Sequence, residues 1–199
     1  PRGMPGAMTE TIKERAVVTV RSRAALRDWL RENHRQADAV WLATFKKHHR
    51  DYLEWGQAVA ELICWGWIDA VSQGVDRDRS AHMIAPRRPS SGWSAVNKRI
   101  VAAARADGAM TQAGVAAITV AQANGMWSFL DDVDACIVPA DLDASLGGLR
   151  AVWYAWPRSV RRGSLEWIKT ARTDPTRGRR IADVVDSAAA GLRPSPFRR

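Results

Sequence analysis

One carboxylate among tryptophans is the first feature of this sequence that could do chemistry. The stretch ELICWGWIDA, residues 61–70, reads as the end of an apolar helix over residues 57–69. Gly66 in this stretch is the kind of residue that marks the close approach of another backbone. Asp69 would lie in the last helical turn, where the helix dipole disfavours an anion by about 0.3–1 kcal/mol. We therefore expect a neighbouring cation to compensate this carboxylate.

Two arginines at the end of the next extended segment are the expected partners of Asp69. Arg87 and Arg88 follow Pro86 directly. An arginine and a carboxylate can form two parallel hydrogen bonds, which would fix this loop over the helix end. A structural ion pair is one interpretation, and a ligand-binding or catalytic role for Asp69 is the other.

A second cluster follows these arginines in PSSGWSAVNKR, residues 89–99. Ser90 or Ser91 is predicted to cap a helix whose first N–H groups can hold an anion. Indole rings, guanidinium groups and this helix end could together form a cradle for a phosphate or a carboxylate. A capped helix in which Asn97 satisfies a loop carbonyl is the simpler alternative. The predicted ligand-binding residues are Trp67, Asp69, Arg87, Arg88, Trp93, Ser94, Asn97 and Lys98.

Common catalytic and metal-binding signatures are missing from the sequence. It contains no glycine-rich phosphate loop, no Gly-x-Ser-x-Gly elbow and no dinucleotide fingerprint. His48 and His49 are adjacent but lack a second ligand pair at metal spacing, and Cys64 reads as a buried thiol. We predict no metal and no cofactor. The catalytic residue is unknown, with Asp69 as acid or base if the protein is an enzyme.

Positive charge is concentrated in the last quarter of the chain. The net charge is +9, and eleven Lys and Arg but only four Asp and Glu lie beyond residue 157. This excess could attract phosphates, nucleic acid or an anionic surface, although a solvated helix face is the simpler interpretation. No nucleic-acid reading module is recognisable. The arginines that would contact nucleic acid are Arg158, Arg161, Arg162, Arg177, Arg179 and Arg180.

The elements that must position these residues are a few early strands followed by helices. Residues 16–22 and 39–47 read as strands, and a third extended piece over residues 74–88 ends at Pro86. Apolar residues on both sides of residues 40–45 favour a central, covered strand. The predicted fold class is α+β: a small N-terminal sheet of about three strands, packed by a helix-rich second half.

Length and composition predict the domain organisation and the compartment. With 199 residues and 46% hydrophobic content, the chain can form one compact domain, predicted over residues 16–192. Residues 1–15 are predicted to be a disordered leader or residues left from cloning, and residues 193–199 a flexible basic tail. Two cysteines suggest no disulfide framework, and neither an export signal nor a membrane-spanning run is visible. We expect a cytoplasmic protein without membrane insertion, and predict no oligomeric state.

Six motifs in this order resemble the YdeI/OmpD-associated (bacteriocin-protection) family. They are WLRENH, VWLATFKK, AVAELICWGWIDA, PRRPSSGWSAVNKR, GAMTQAG and LEWIKTARTDPTRGRRI. The resemblance covers most of residues 17–192 and implies that the predicted domain is a YdeI/OmpD-associated domain. It implies a role in protection against antimicrobial peptides and a link to an outer-membrane porin, but no established reaction. The matching positions are Lys46, Lys47, Trp65, Gly66, Trp67, Asp69, Pro86, Arg87, Trp93, Ser94, Asn97 and Arg177.

Three functions are compatible with these observations. The first is a cytoplasmic stress- or antimicrobial-protection protein that binds an anionic small ligand in a Trp/Arg-lined pocket. The second is an enzyme of unassigned class that uses Asp69 as acid or base. The third, which we rank last, is nucleic-acid binding through the basic C-terminal helices.

Overall fold

The computed structural model describes residues 9–12 and 15–198. The chain divides into two compact units, an N-terminal unit that ends at Ser128 and a C-terminal unit that begins at Phe129. The predicted α+β class is confirmed, because the strands lie in the N-terminal unit and helices make up most of the rest. The single domain predicted over residues 16–192 stays a prediction.

The sheet of the N-terminal unit has five strands in the spatial order β1-β2-β3-β5-β4. They are β1 (Thr9–Ile12), β2 (Arg15–Thr19), β3 (Val40–Phe45), β4 (Trp67–Gly74) and β5 (Arg79–Pro86). Strands β2 and β3 are parallel and the other neighbours are antiparallel. The pairing of β4 with β5 shifts register between Asp69 and Ser72, which is a β-bulge.

Two of these strands were not expected from the sequence. Strand β1 falls in the stretch predicted as a disordered leader, whose residues 1–8, 13 and 14 lie outside the described residues. Strand β4 falls at the end of the predicted helix over residues 57–69. The predicted central strand, β3, is confirmed, since each of its six residues is buried.

Four helices accompany the sheet: α1 (Arg23–Asn33), α2 (Trp55–Cys64), α3 (Ala95–Ala106) and α4 (Gln112–Ala123). Ser22 caps α1 by accepting from the backbone N–H of Ala25, and Thr111 caps α4 in the same way. The cap of α3 is Ser94, so the prediction of Ser90 or Ser91 is wrong by one turn. The reason is that Trp93 is still in the preceding loop, where its backbone N–H donates to Met126 O.

The core of the N-terminal unit lies on both faces of the sheet. Side chains of α1 and α2, such as Leu26 and Leu62, pack with Leu42 and Ile84 of the central strands. The opposite face buries a smaller cluster of Val17, Trp41, Ala43 and Ala81. Strand β3 contributes to both clusters, which explains its continuous apolar sequence.

The C-terminal unit is helical over the residues described. Its helices are α5 (Asp131–Asp134), α6 (Ala140–Leu146), α7 (Arg150–Ala155), α8 (Arg158–Lys169) and α9 (Asp174–Ala189), with 3-10 turns at Gly147–Leu149 and Ser195–Phe197. They surround a core that includes Trp153, Leu165 and Val184.

The last residues, predicted to form a flexible tail, contact this helical unit. Phe197 packs against its core, and the Ser195 backbone N–H donates to the carboxylate of Asp183 at 2.9 Å. Arg198 donates to Ser187 Oγ, also at 2.9 Å.

Over residues 9–12 and 15–198, no helix has both the length and the apolar character needed to cross a membrane.

Candidate functional site

The stretch around Gly66 is a helix-to-strand turn and not the end of a longer helix. Helix α2 ends at Cys64, and Gly66 adopts a left-handed conformation with φ of 71°. A Cβ on Gly66 would lie 3.1 Å from Ala113 O, which confirms the predicted close approach of another backbone. The prediction that Asp69 occupies a last helical turn is therefore wrong. Trp67 and Asp69 lie instead on β4, where residues two apart share a face.

The carboxylate of Asp69 has an indole as its hydrogen-bond partner. Trp55 Nε1 donates to Asp69 Oδ2 at 3.1 Å, and the same indole stacks on His82 with 3.5 Å between ring centroids. No hydrogen bond or ion pair in the described part of the chain joins Asp69 to Arg87 or Arg88, so the predicted ion pair is wrong. The register of β4 and β5 places Asp69 opposite Ile84, three residues before Arg87, so the charge of Asp69 acts on Arg87 without a direct bond.

The environment of His82 predicts a pH-dependent stability. Burial lowers the pKa of His82 below its ordinary value of 6.5, and the charge of Asp69 opposes this change. The unfolded chain therefore binds more protons at this ring just below that value, so the free energy of unfolding should fall as the pH drops. Urea unfolding at several pH values between about 5 and 8 would measure this. The His82→Gln variant should lose part of the dependence, and an unchanged slope would contradict the assignment.

Arg87 is partly buried, and no carboxylate bonds to it within the described residues. Its backbone N–H donates to Gly66 O at 2.9 Å, and its Nη2 donates to Gly92 O at 2.7 Å. Its Cζ lies 3.9 Å from the centroid of the Trp93 ring, which is itself only 1% exposed. Nε and Nη1 of Arg87 are buried and have no hydrogen-bond partner in the described structure. Burial lowers the pKa of Arg87 to about 10, against the opposing charge of Asp69.

A cavity of about 180 Å³ lies between the loop that carries Arg87 and helix α4. We call it the Arg87 cavity. It brings together three of the predicted ligand-binding residues, Arg87, Arg88 and Trp93. Its complete lining is Arg87, Arg88, Pro89, Trp93, Ala116, Ala117, Val120 and Ala121.

The α4 wall of the cavity was not found by sequence reasoning. The small residues of AGVAA, residues 113–117, were available as a signal, because small side chains allow close helix packing. Gly114 and Ala117 do approach the turn at Cys64 and Gly66.

The other predicted ligand-binding residues do not line this cavity. Trp67 is fully buried, donates from Nε1 to His34 O at 3.1 Å and packs edge-on against Trp29. Ser94 and Asn97 bond to each other in the cap of α3. Lys98 places its Nζ 5.4 Å from the centroid of the Trp127 ring.

A larger cavity of about 660 Å³ lies in the C-terminal unit along α6 and α9. The guanidinium group in this cavity belongs to Arg177 and already pairs with a carboxylate of this chain. Its Nε donates to Asp141 Oδ2 at 2.7 Å, and its Nη2 donates to Asp141 Oδ1 at 2.9 Å. These hydrogen bonds lower the pKa of Asp141 and raise that of Arg177. The Arg87 cavity differs because Nε and Nη1 of its guanidinium have no hydrogen-bond partner among the described residues.

The arginines proposed for nucleic-acid binding also have partners within the chain. Arg162 pairs with Asp134 and Glu166, and Arg180 donates to Trp167 O. Arg158, Arg161 and Arg179 each donate at least one hydrogen bond within this unit.

Within residues 9–12 and 15–198, no group of three or more His, Cys, Asp or Glu side chains could hold a metal ion.

Two protein families match two separate stretches of the chain. The family described as Domain of unknown function (DUF8412) matches residues 18–117, and the family described as Bacteriocin-protection, YdeI or OmpD-Associated matches residues 135–191. The predicted resemblance to the second family is confirmed over its matched residues. Five of the six motifs that suggested it lie within residues 18–117. Searches of curated proteins and of solved structures found no significant match.

Proposed function

The chain belongs to the family described as Domain of unknown function (DUF8412), and from that premise we propose that its N-terminal unit binds a small organic anion in the Arg87 cavity. The observation that carries this proposal is the guanidinium of Arg87, buried with Nε and Nη1 unpartnered. One N–H at Nε and two at Nη1 make three unpartnered donors out of the five that arginine has, and a ligand would have to reach them by a small shift of the Arg87 side chain.

Open donors on a buried cation favour an anionic ligand on energetic grounds. A buried polar group without a partner costs about 1–3 kcal/mol, and a charged group costs more. A carboxylate or phosphate could recover this free energy with charge-assisted hydrogen bonds, which are strong in a low-dielectric site. Trp93 supports the planar guanidinium from one face, which leaves its N–H groups free to bond in the plane.

The C-terminal unit supports a biological setting for this binding. The family that matches residues 135–191 is described by bacteriocin protection, and we place the proposed anion binding in a stress- or antimicrobial-protection role. Cys64 and Cys136 are free thiols, which is consistent with a reducing compartment such as the cytoplasm.

The catalytic and nucleic-acid hypotheses stay predictions. Asp69 does not line the Arg87 cavity, so the proposed binding gives it no role as acid or base. The arginines of α8 and α9 already donate to groups of their own unit.

Substitution of Arg87 tests the proposed function directly. We expect hexanoate at millimolar concentration, and acetate or inorganic phosphate only at higher concentration, to raise the melting temperature of the native protein, and Arg87→Met to abolish each effect. Arg87→Lys keeps the positive charge but loses the planar set of N–H donors of the guanidinium, so it should weaken binding by about tenfold or more. Arg87→Met removes a charge that is incompletely paired. The free energy of unfolding of this variant without ligand should therefore differ from that of the native protein by less than about 2 kcal/mol.

A matched control removes a different positive charge from the same unit. Arg99 is exposed on α3 and does not line the cavity, so Arg99→Met should respond to anions as the native protein does. Titration calorimetry on folded samples would quantify each affinity. Anion binding that survives Arg87→Met, or that Arg99→Met also abolishes, would overturn the proposal.

A further inference from the structure

The walls of the Arg87 cavity indicate which class of anion it accepts. We infer that the ligand is a monocarboxylate with a short apolar tail, an inference that rests on the proposed function and narrows it. Apart from the two arginines, the lining residues are Pro89, Trp93, Ala116, Ala117, Val120 and Ala121.

Cavity size limits how much of a ligand can be covered. A volume of about 180 Å³ is about that of six water molecules in the liquid, which corresponds to roughly six to eight non-hydrogen atoms. Drug-sized ligands and nucleotides need cavities of about 300 Å³ or more. A carboxylate that carries three to five further carbon atoms fits this limit.

The chemistry of the α4 wall favours an apolar tail over a polar one. The α4 side of the cavity presents only methyl and isopropyl groups, from Ala116, Ala117, Val120 and Ala121. Hydroxyl or amide groups of a ligand would lose their water there and find no side-chain partner, which disfavours sugars and peptide-like molecules. An apolar tail gains from the same surroundings.

Charge balance favours a single negative charge in the cavity. Arg87 is the partly buried cation that contacts Trp93, whereas Arg88 is exposed. A monoanion neutralises the buried guanidinium, but a phosphate dianion would bring a second charge that only the solvated Arg88 could compensate. The planar fork of Arg87 also matches the two oxygens of a carboxylate.

A series of probes on the full chain tests this inference by calorimetry. From acetate through butyrate to hexanoate, the affinity should rise by about fourfold for each added methylene group. Decanoate should show no further gain. Butyramide, which lacks the charge, should not bind, and inorganic phosphate and butyl phosphate should bind at least about tenfold more weakly than hexanoate. N-acetylvalinate, which represents a peptide C-terminus, should also bind more weakly than hexanoate.

Two variants of α4 separate the cavity from general surface effects. Ala116 is exposed and lines the cavity, so Ala116→Leu should fold and fill part of the space, lowering hexanoate affinity by about tenfold while retaining acetate binding. Val115 is exposed on the same helix but does not line the cavity. Val115→Leu should therefore bind the whole series as the native protein does.

The results of these experiments distinguish failure of the proposed anion binding from failure of the assignment to short apolar carboxylates. If no probe binds in an Arg87-dependent manner, the proposed function is wrong. If probes bind through Arg87 but phosphate is preferred, tail length has no effect, or Ala116→Leu leaves hexanoate affinity unchanged, only the assignment to short apolar carboxylates is overturned.

Discussion

Gly114→Ala is expected to lower the free energy of unfolding by about 3 kcal/mol, the upper part of the usual range for overpacking. A Cβ on Gly114 would lie 2.3 Å from the carbonyl oxygen of Cys64 and 2.8 Å from its carbonyl carbon. These are backbone atoms, so no side-chain rotation can relieve the clash. The carbonyl is also held in place, because Thr111 donates to it from Oγ1 at 2.6 Å and from its backbone N–H at 3.2 Å.

The matched control for Gly114→Ala is another glycine within a helix. Gly178 lies in α9, and a Cβ there would meet no atom within 4 Å. Gly178→Ala should therefore stabilise the protein by about 0.5–1 kcal/mol through helix propensity. Urea unfolding monitored by tryptophan fluorescence would measure both variants. If Gly114→Ala has native-like stability, α4 does not pack as closely on the end of α2 as the structure indicates.

Removing both arginines that pair with Glu61 is expected to have an effect of similar size. The Glu61 side chain is only 1% exposed, and its oxygens accept from Arg23 at 2.9 Å and from Arg27 at 2.6 Å. Trp65 Nε1 donates to the same carboxylate at 3.1 Å. Arg23→Met with Arg27→Met would leave a buried carboxylate with no cation. We expect a loss of about 3 kcal/mol, the lower end for breaking a buried pair, because both arginines are partly solvated.

A third substitution in that background distinguishes the buried charge from lost packing. Adding Glu61→Met replaces the stranded carboxylate with an apolar side chain of similar length, and should restore most of the lost stability. The comparison uses chemical denaturation of the double and triple variants at one pH. A triple variant that is no more stable than the double variant would show that the arginine stems, and not the charges, carry the effect.

Several local features could be predicted because they depend on neighbouring residues. Ser22 and Thr111 have side chains that cap the helix directly after them, so their role can be read from the sequence. Strand β3 is apolar on both sides and proved to be buried on both. The association of Arg87 with Trp93 is also local, since six positions separate them along one loop.

The features that the sequence did not reveal depend on longer-range geometry. WIDAV continues the apolar character of α2 with Asp69 as its one polar residue, so the sequence alone did not show that the helix ends at the left-handed Gly66. The partner of Asp69 depends on tertiary packing, because Trp55 at the start of α2 donates to the carboxylate while the pairing of β4 with β5 sets Ile84 opposite it. The α4 wall of the Arg87 cavity lies about thirty residues further along the chain, so only tertiary packing brings it there.

The β-bulge of β4 has a consequence for self-association. β4 is the last strand in the sheet order, with β5 as its strand neighbour, and Val71 beside the bulge is 57% exposed. An apolar strand at a sheet edge is a template on which strands of other molecules can add. The irregularity between Asp69 and Ser72 interrupts the regular spacing of its backbone donors and acceptors. We therefore expect a foreign strand to pair poorly along the full length of β4, so that the bulge opposes edge-to-edge aggregation of the folded protein.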